Sequence, residues 1–123
     1  MSQDQITYNV GDSDTRPWGN WRVIAKGVGY ICKEICVMPQ QRLSLQRHAH
    51  RNEHWIMMSG HAEVTLGEDL LNLDAEQTVY IPKGTKHRIA NNGTEPLVFV
   101  EIQTGEVLDE NDIERFLDEY GRT

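Results

Sequence analysis

The segment LSLQRHAH, residues 43–50, alternates at a period of two. Leu43, Leu45, Arg47 and Ala49 fall on one parity, and Ser44, Gln46, His48 and His50 on the other. Such a pattern makes no helical stripe, so the segment reads as a β-strand with two unlike faces. The same reading extends to about residue 103. WRVIAK, a GVG turn and YICKEICVMP read as one hairpin; EHWIMMSG (53–60) and HAEVTLG (61–67) read as a second, turning at Ser59-Gly60. LLNLDAEQTVYIPKGTKHRIANNGTEPLVFVEIQ supplies two to four more short strands, broken by Pro82-Lys83-Gly84 and by Asn91-Asn92-Gly93. Strands this short between turns this frequent predict an all-β sandwich or small barrel.

Around this body the chain has two flanks. Residues 1–15 read as an N-terminal arm, anchored to the main domain (16–123) by the aromatics of RPWGNW (16–21). At the other end Ile113, Phe116, Leu117 and Tyr120 recur at i, i+3, i+4 and i+7, which predicts a short C-terminal α-helix. Asp109 is placed as its N-cap, Leu108 and Ile113 as a staple, and Gly121 as its C-terminal stop.

The 123 residues suffice for one ordinary domain, and the formal net charge of −7 argues against nucleic acid or an anionic membrane as a partner. Most of that charge is local. Residues 105–123 hold seven acids and two bases, −5 of the total, leaving −2 for the first 104 residues. No apolar run approaches a membrane span, and the acidic, polar amino terminus is unlike a signal peptide, so a cytoplasmic protein is expected. Cys32 and Cys36, four apart on one strand, would lie roughly 13 Å from each other, too far for a disulfide.

Chemistry concentrates in QRHAHRNEHW (46–55) and PKGTKHRIAN (82–91). Gln46, His48 and His50 share a parity, Glu53, Trp55 and Met57 form one face of the next strand, and His87 starts another just past a tight turn. Side chains of like parity on neighbouring strands converge at about 5 Å. Imidazoles and a carboxylate meeting inside a barrel form a shell for a divalent metal ion such as Zn, Mn, Fe or Co. Arg42, Arg47, Arg51, Lys83, Lys86 and Arg88 make these segments locally basic. Arg47 and Arg88 alternate away from the ligand parity, while Arg51, in the turn between the ligand strands, can lean over the pocket. Trp55 shares the inward parity and reads as pocket wall. His54 faces the other side, and His61 reads as structural.

These residues resemble a known family. Pro39-Gln40, Gln46-x-His48, Glu53 and Gly60 fit the first motif of the cupins, and Pro82-x-Gly84-x-x-His87-x-x-x-Asn91 fits most of the second. The departures are Gln40 and Glu76, where glycine is usual, and Gln46, where the first histidine is usual. The match is closer still to the type II mannose-6-phosphate isomerase domain, which usually follows a mannose-1-phosphate guanylyltransferase domain. RPWG (16–19), LSLQRHAHRNEHWIMMSGHAEV (43–64), YIPKGTKHRIAN (80–91), EIQTGEVLDENDIERF (101–116) and EYGR (119–122) carry that likeness. No Gly-rich nucleotidyltransferase loop is present, so a stand-alone isomerase domain is the expectation.

The resemblance implies a single-domain cupin, a double-stranded β-helix or jelly-roll barrel. It implies Gln46, His48, Glu53 and His87 as metal ligands; the competing register pairs His48 with His50 and leaves Gln46 as a supporting hydrogen bonder. Interconversion of mannose 6-phosphate and fructose 6-phosphate through an enediolate needs a proton carrier, for which His50 has the right intrinsic pKa. Arg51 joins His50 as a catalytic candidate; Lys86, Arg42 and Trp55 are candidates for binding the phosphorylated sugar. Two other readings stand beside this one: a non-catalytic sugar- or nucleotide-sugar-binding cupin working with a separate guanylyltransferase, and a metal-dependent dioxygenase. The local basicity weighs against the last. Leu43, Leu45, Ile56 and Met58 face away from the pocket and need covering, by a second sheet or by the partner in a homodimer.

Overall fold

The period-two stretches become strands whose burial follows the same parity. In the computed structural model, which describes residues 8–109 and 111–117, these are β1 (Ser13–Arg16), β2 (Gly19–Gly27), β3 (Tyr30–Val37), β4 (Leu45–Arg47), β5 (Asn52–Ser59), β6 (Ala62–Leu66), β7 (Asp69–Leu73), β8 (Thr78–Ile81), β9 (His87–Ala90), β10 (Leu97–Thr104) and β11 (Glu114–Leu117). They form a six-stranded sheet, β1-β2-β3-β10-β5-β8, and a five-stranded sheet, β11-β4-β9-β6-β7, with antiparallel pairing throughout. Neither sheet could stand alone. Each hides its apolar face against the other, around Trp21, Val23, Ile35, Val37, Trp55, Met57, Val64, Ile81, Ile89, Leu97 and Phe99.

The β2–β3 hairpin forms at Gly27–Tyr30 as expected. The second expected hairpin does not. β5 pairs with β10 and β8, and β6 with β7 and β9, so the chain crosses from one sheet to the other at Gly60. Gly60 has φ of +84°, and a Cβ there would stand 2.7 Å from the Pro96 carbonyl oxygen. The chain leaves β5 so close to the Pro96–Leu97 backbone that only glycine fits. The tight hairpin lies one strand later, between β6 and β7, at Gly67.

The expected C-terminal helix is also corrected. Glu114–Leu117 is an extended strand paired with β4, with Arg115 opposite Gln46 and a register shift before Leu117. β4 is bonded to β9 on one side only, and its other edge offers backbone groups that a helix could not satisfy. Ladder pairing thus overrides the helical spacing. Tyr120 and Gly121 of that expectation lie outside the described residues. Of the amino-terminal segment, Ser13–Arg16 is the edge strand of the larger sheet, and the Tyr8 ring lies 4.7 Å from that of Trp21. Among the described residues no helix is long and apolar enough to cross a membrane.

Two non-glycine residues, Gln40 and Glu76, have positive φ among the described residues, at 65° and 75°. They are the two positions where the cupin motifs normally carry glycine, so the backbone keeps the family's turns although the residues have changed.

Candidate metal centre and its cavity

The two motif segments meet because the backbone binds them together. The N–H of Gly84 donates to the His48 carbonyl (2.7 Å), that of Lys83 donates to the Asn52 side chain (2.9 Å), and Gln46 pairs with His87 across β4 and β9. This brings His48, Glu53 and His87, all buried, to one point, with a ligand atom from each within 4.8 Å of the others. His48 Nε2 is 3.0 Å from Glu53 Oε2, and His87 Nε2 is 3.8 Å from Glu53 Oε1.

The protonation pattern suits a cation. His48 Nδ1 lies 2.7 Å from the Asp112 carbonyl and His87 Nδ1 lies 3.0 Å from the Thr85 carbonyl. A carbonyl only accepts, so both Nδ1 atoms carry hydrogen and each ring turns Nε2 toward Glu53. A metal-ligating histidine is normally held in this way, its second nitrogen donating to a backbone carbonyl. Burial lowers the His87 pKa, outweighing the Glu53 charge and the Thr85 bond that raise it, so this imidazole stays neutral and offers a lone pair. Burial alone would push the Glu53 carboxyl up. The neighbouring Arg51 guanidinium, with the His48 and His87 rings beside it, instead holds it well below the usual range. Two imidazoles and a carboxylate fit a divalent ion of borderline hardness.

Arg51 is more deeply involved than a residue leaning over the pocket. It is buried, its Nε donates to Glu53 Oε2 (2.9 Å), and its Nη2 lies 3.2 Å from His48 Nε2. Trp55 Nε1 donates to Glu53 Oε1 (2.9 Å), while its ring packs on His87 and Phe99.

Beside this cluster lies a cavity of about 90 Å³ between the sheets, lined by Gln46, Arg51, Glu53, Trp55 and His87. By the same measure that is room for roughly half a dozen waters, the scale of a small polar group. Gln46 lines this cavity, its amide nitrogen weakly bonded to Ser44 (3.4 Å to Oγ). His50, the other candidate for the fourth position and for the proton carrier, does not reach the site. β4 ends at Arg47, and the Asp112 carboxylate accepts from the N–H groups of both Ala49 (2.7 Å) and His50 (2.8 Å). That clasp bends the chain, the alternation stops after His48, and the His50 side chain is exposed.

The expected sugar-binding bases are placed otherwise too. Arg42 and Lys86 are exposed and do not line the cavity. Arg42 sits at a bridge to Ala90, where β9 ends, and the Lys86 ammonium lies 4.0 Å over the Phe116 ring. Arg47 pairs with Glu114 in solvent, and His54 stacks on Tyr80 on the outer face. Among the described residues that line the cavity, Arg16, Lys33, Arg51, Arg88 and Arg115 are cationic and Glu53 and Glu101 anionic. Arg88 reaches it despite its parity, its Nε donating to the Leu43 carbonyl (2.8 Å).

Sequence reasoning passed over Lys33, Glu101 and Gln103, all buried on the inner face. Their signal was legible. Ile31, Lys33, Ile35 and Val37 form the buried parity of β3, and Leu97, Phe99, Glu101 and Gln103 that of β10, so each charge sits where the pattern calls for an apolar residue. Glu101 lies opposite Lys33 on one side and Trp55 on the other, and Gln103 lies opposite Glu53.

The profile of the family described as mannose-6-phosphate isomerase C-terminal matches residues 3–118. The chain belongs to that family. It is 52% identical over 108 residues to the xanthan biosynthesis protein XanB of Xanthomonas campestris, covering 88% of this chain and 23% of that protein. It is 43% identical to a mannose-1-phosphate guanylyltransferase of Escherichia coli, over 87% of this chain and 22% of the relative. The family domain thus spans less than a quarter of the curated relatives it matches. Among solved structures, a double-stranded β-helix protein of Klebsiella pneumoniae superposes with a TM-score of 0.68 at 20% identity, covering 93% of this chain and 87% of that one. That likeness establishes the all-β cupin fold of this family member.

Proposed function

We propose that this domain is a metal-dependent aldose–ketose isomerase interconverting mannose 6-phosphate and fructose 6-phosphate. The observation that carries the reading is a buried His48–Glu53–His87 cluster, both Nε2 atoms turned inward, beside a small cavity rich in guanidinium and ammonium groups. Membership in the mannose-6-phosphate isomerase C-terminal family supports it. The two histidines and Glu53 would hold the ion, with Gln46 as a fourth donor. A bound divalent ion supplies polarisation of the sugar carbonyl and stabilisation of negative charge on its oxygen.

The chain's own residues do the rest. Arg51 and Trp55 fix both oxygens of Glu53, so its carboxylate is oriented before any ligand arrives. Trp55 also walls the site, excluding water from a reactive enediolate. Arg16, Lys33, Arg88 and Arg115 offer positive charge to an anionic sugar.

Coupled-assay turnover of mannose 6-phosphate, with Zn, Mn or Co supplied and then chelated, tests the proposal. Metal-dependent production of fructose 6-phosphate is expected. Absence of turnover with every ion would overturn it, and tight binding of the sugar without turnover would instead favour a non-catalytic sugar-binding domain.

A further inference from the structure

An isomerase must move a proton between adjacent carbons, and the group first suited to it, His50, stands in solvent. The cavity holds two carboxylates that could replace it, Glu53 and Glu101. Glu53 is fully engaged: Oε1 accepts from Trp55, and Oε2 from Arg51 with His48 alongside. Glu101 is differently placed. It sits mid-strand on β10, between Lys33 of β3 and Trp55 of β5, on the face toward the cavity. Its Oε1 accepts a hydrogen bond from Gln103 Nε2 (2.7 Å), and its carboxyl lines the cavity.

We propose that Glu101 is the catalytic acid–base that carries the proton between C2 and C1 of the sugar. This rests on the isomerase reading above. The carboxylate takes the C2 proton; the C2–H electron pair becomes the C1–C2 double bond, and the carbonyl pair of C1 moves to O1. The resulting carboxylic acid returns the proton to C1 while the C2 carbonyl forms and the O2 proton passes to O1. One hydrogen moves from C2 to C1 and one from O2 to O1, so no outside oxidant or reductant is needed.

The surroundings favour this role. Burial and the Glu53 charge push the Glu101 carboxyl up to about 7, against the opposing charges of Lys33 and Arg51 and the Gln103 bond. A carboxyl in that range exchanges its proton in both directions near neutrality. Lys33, whose ammonium lies 4.1 Å over the Tyr8 ring and 4.6 Å over Trp21, is positioned to keep part of the population ionised and ready to accept.

The test compares wild type with E101Q and E101D, each loaded with the same metal, following turnover and deuterium uptake from heavy water into product. E101Q should lose about 10²- to 10⁴-fold in kcat, with label uptake falling in proportion and metal stoichiometry and KM within a few-fold of wild type. E101D, which keeps a displaced carboxyl, should fall between the two and guards against a folding defect in E101Q. An E101Q enzyme within threefold of wild-type kcat overturns the assignment of Glu101 while leaving the isomerase reading intact. A wild-type protein that never turns over sinks the isomerase reading, and this assignment with it.

Discussion

At the scale of single residues, Gln40 and Glu76 show how a fold tolerates the wrong amino acid. Both adopt positive φ, a conformation that costs a side-chain-bearing residue about 1–2 kcal/mol. Gln40 recovers part of this by donating to the Asn92 and Gly93 carbonyls, whereas Glu76 is exposed and has no such side-chain bond among the described residues. Glu76→Gly is therefore expected to stabilise the domain by about 0.5–1 kcal/mol, after the greater freedom of glycine in the unfolded chain is counted. A urea melt checks this, and a lower midpoint would contradict it. Glu101 strains the fold by another route. Its native pKa of about 7 lies above the ordinary 4.5, so between those values the folded state binds more protons than the unfolded state. The cost of keeping it folded thus grows as pH rises from about 4.5 to 7 and is fully present above. Removing the titration with E101Q should stabilise metal-free protein more at pH 8 than at pH 5, by on the order of 3 kcal/mol. Equal gains at both pH values would show that Glu101 titrates normally.

At the scale of elements, the site depends on a strand whose place the sequence pattern hid. Parity sorted Ser44, Gln46 and His48 correctly because a buried face fixes side-chain direction along a strand. It failed at His50 because nothing local announces that Asp112, more than sixty residues onward, will clasp the backbone there. The helical spacing of Ile113, Phe116 and Leu117 misled over 114–117, where the chain instead pairs with the open edge of β4. The Ser59-Gly60 turn was legible as a turn but not as a passage between sheets, since a positive-φ glycine serves either purpose. Asp112 does two things for the candidate centre: its carbonyl sets the His48 ring, and its carboxylate sets the bend that follows. Asp112→Ala keeps the carbonyl but loosens the bend, so metal affinity should fall about tenfold. Competition with a coloured chelator measures it, and unchanged affinity would mean that the turn holds its shape unaided.

At the scale of the whole molecule, both sheets contribute to the cluster, Glu53 from the six-stranded sheet and His87 from the five-stranded one. An ion bound there would tie the sheets together, and its free energy would add to that of the fold. At a concentration one hundred times its dissociation constant it contributes about 2.7 kcal/mol, or roughly 10 °C in Tm for a domain of this size. Calorimetry with and without chelator should show that shift in wild type and not in His48→Ala. A variant that keeps the full shift would move the ion elsewhere. The strand β11 has a wider consequence. Its Phe116 is held between the Arg47 and Lys86 side chains, and its backbone covers the open side of β4. Peeled away, it would leave the histidine-bearing ladder with unpaired amides facing outward, a template on which a second copy could add its own strand. Proteolysis ahead of Asn111 should therefore increase self-association, read as a larger sedimentation coefficient, and an unchanged coefficient would show that β4 stays covered without this strand.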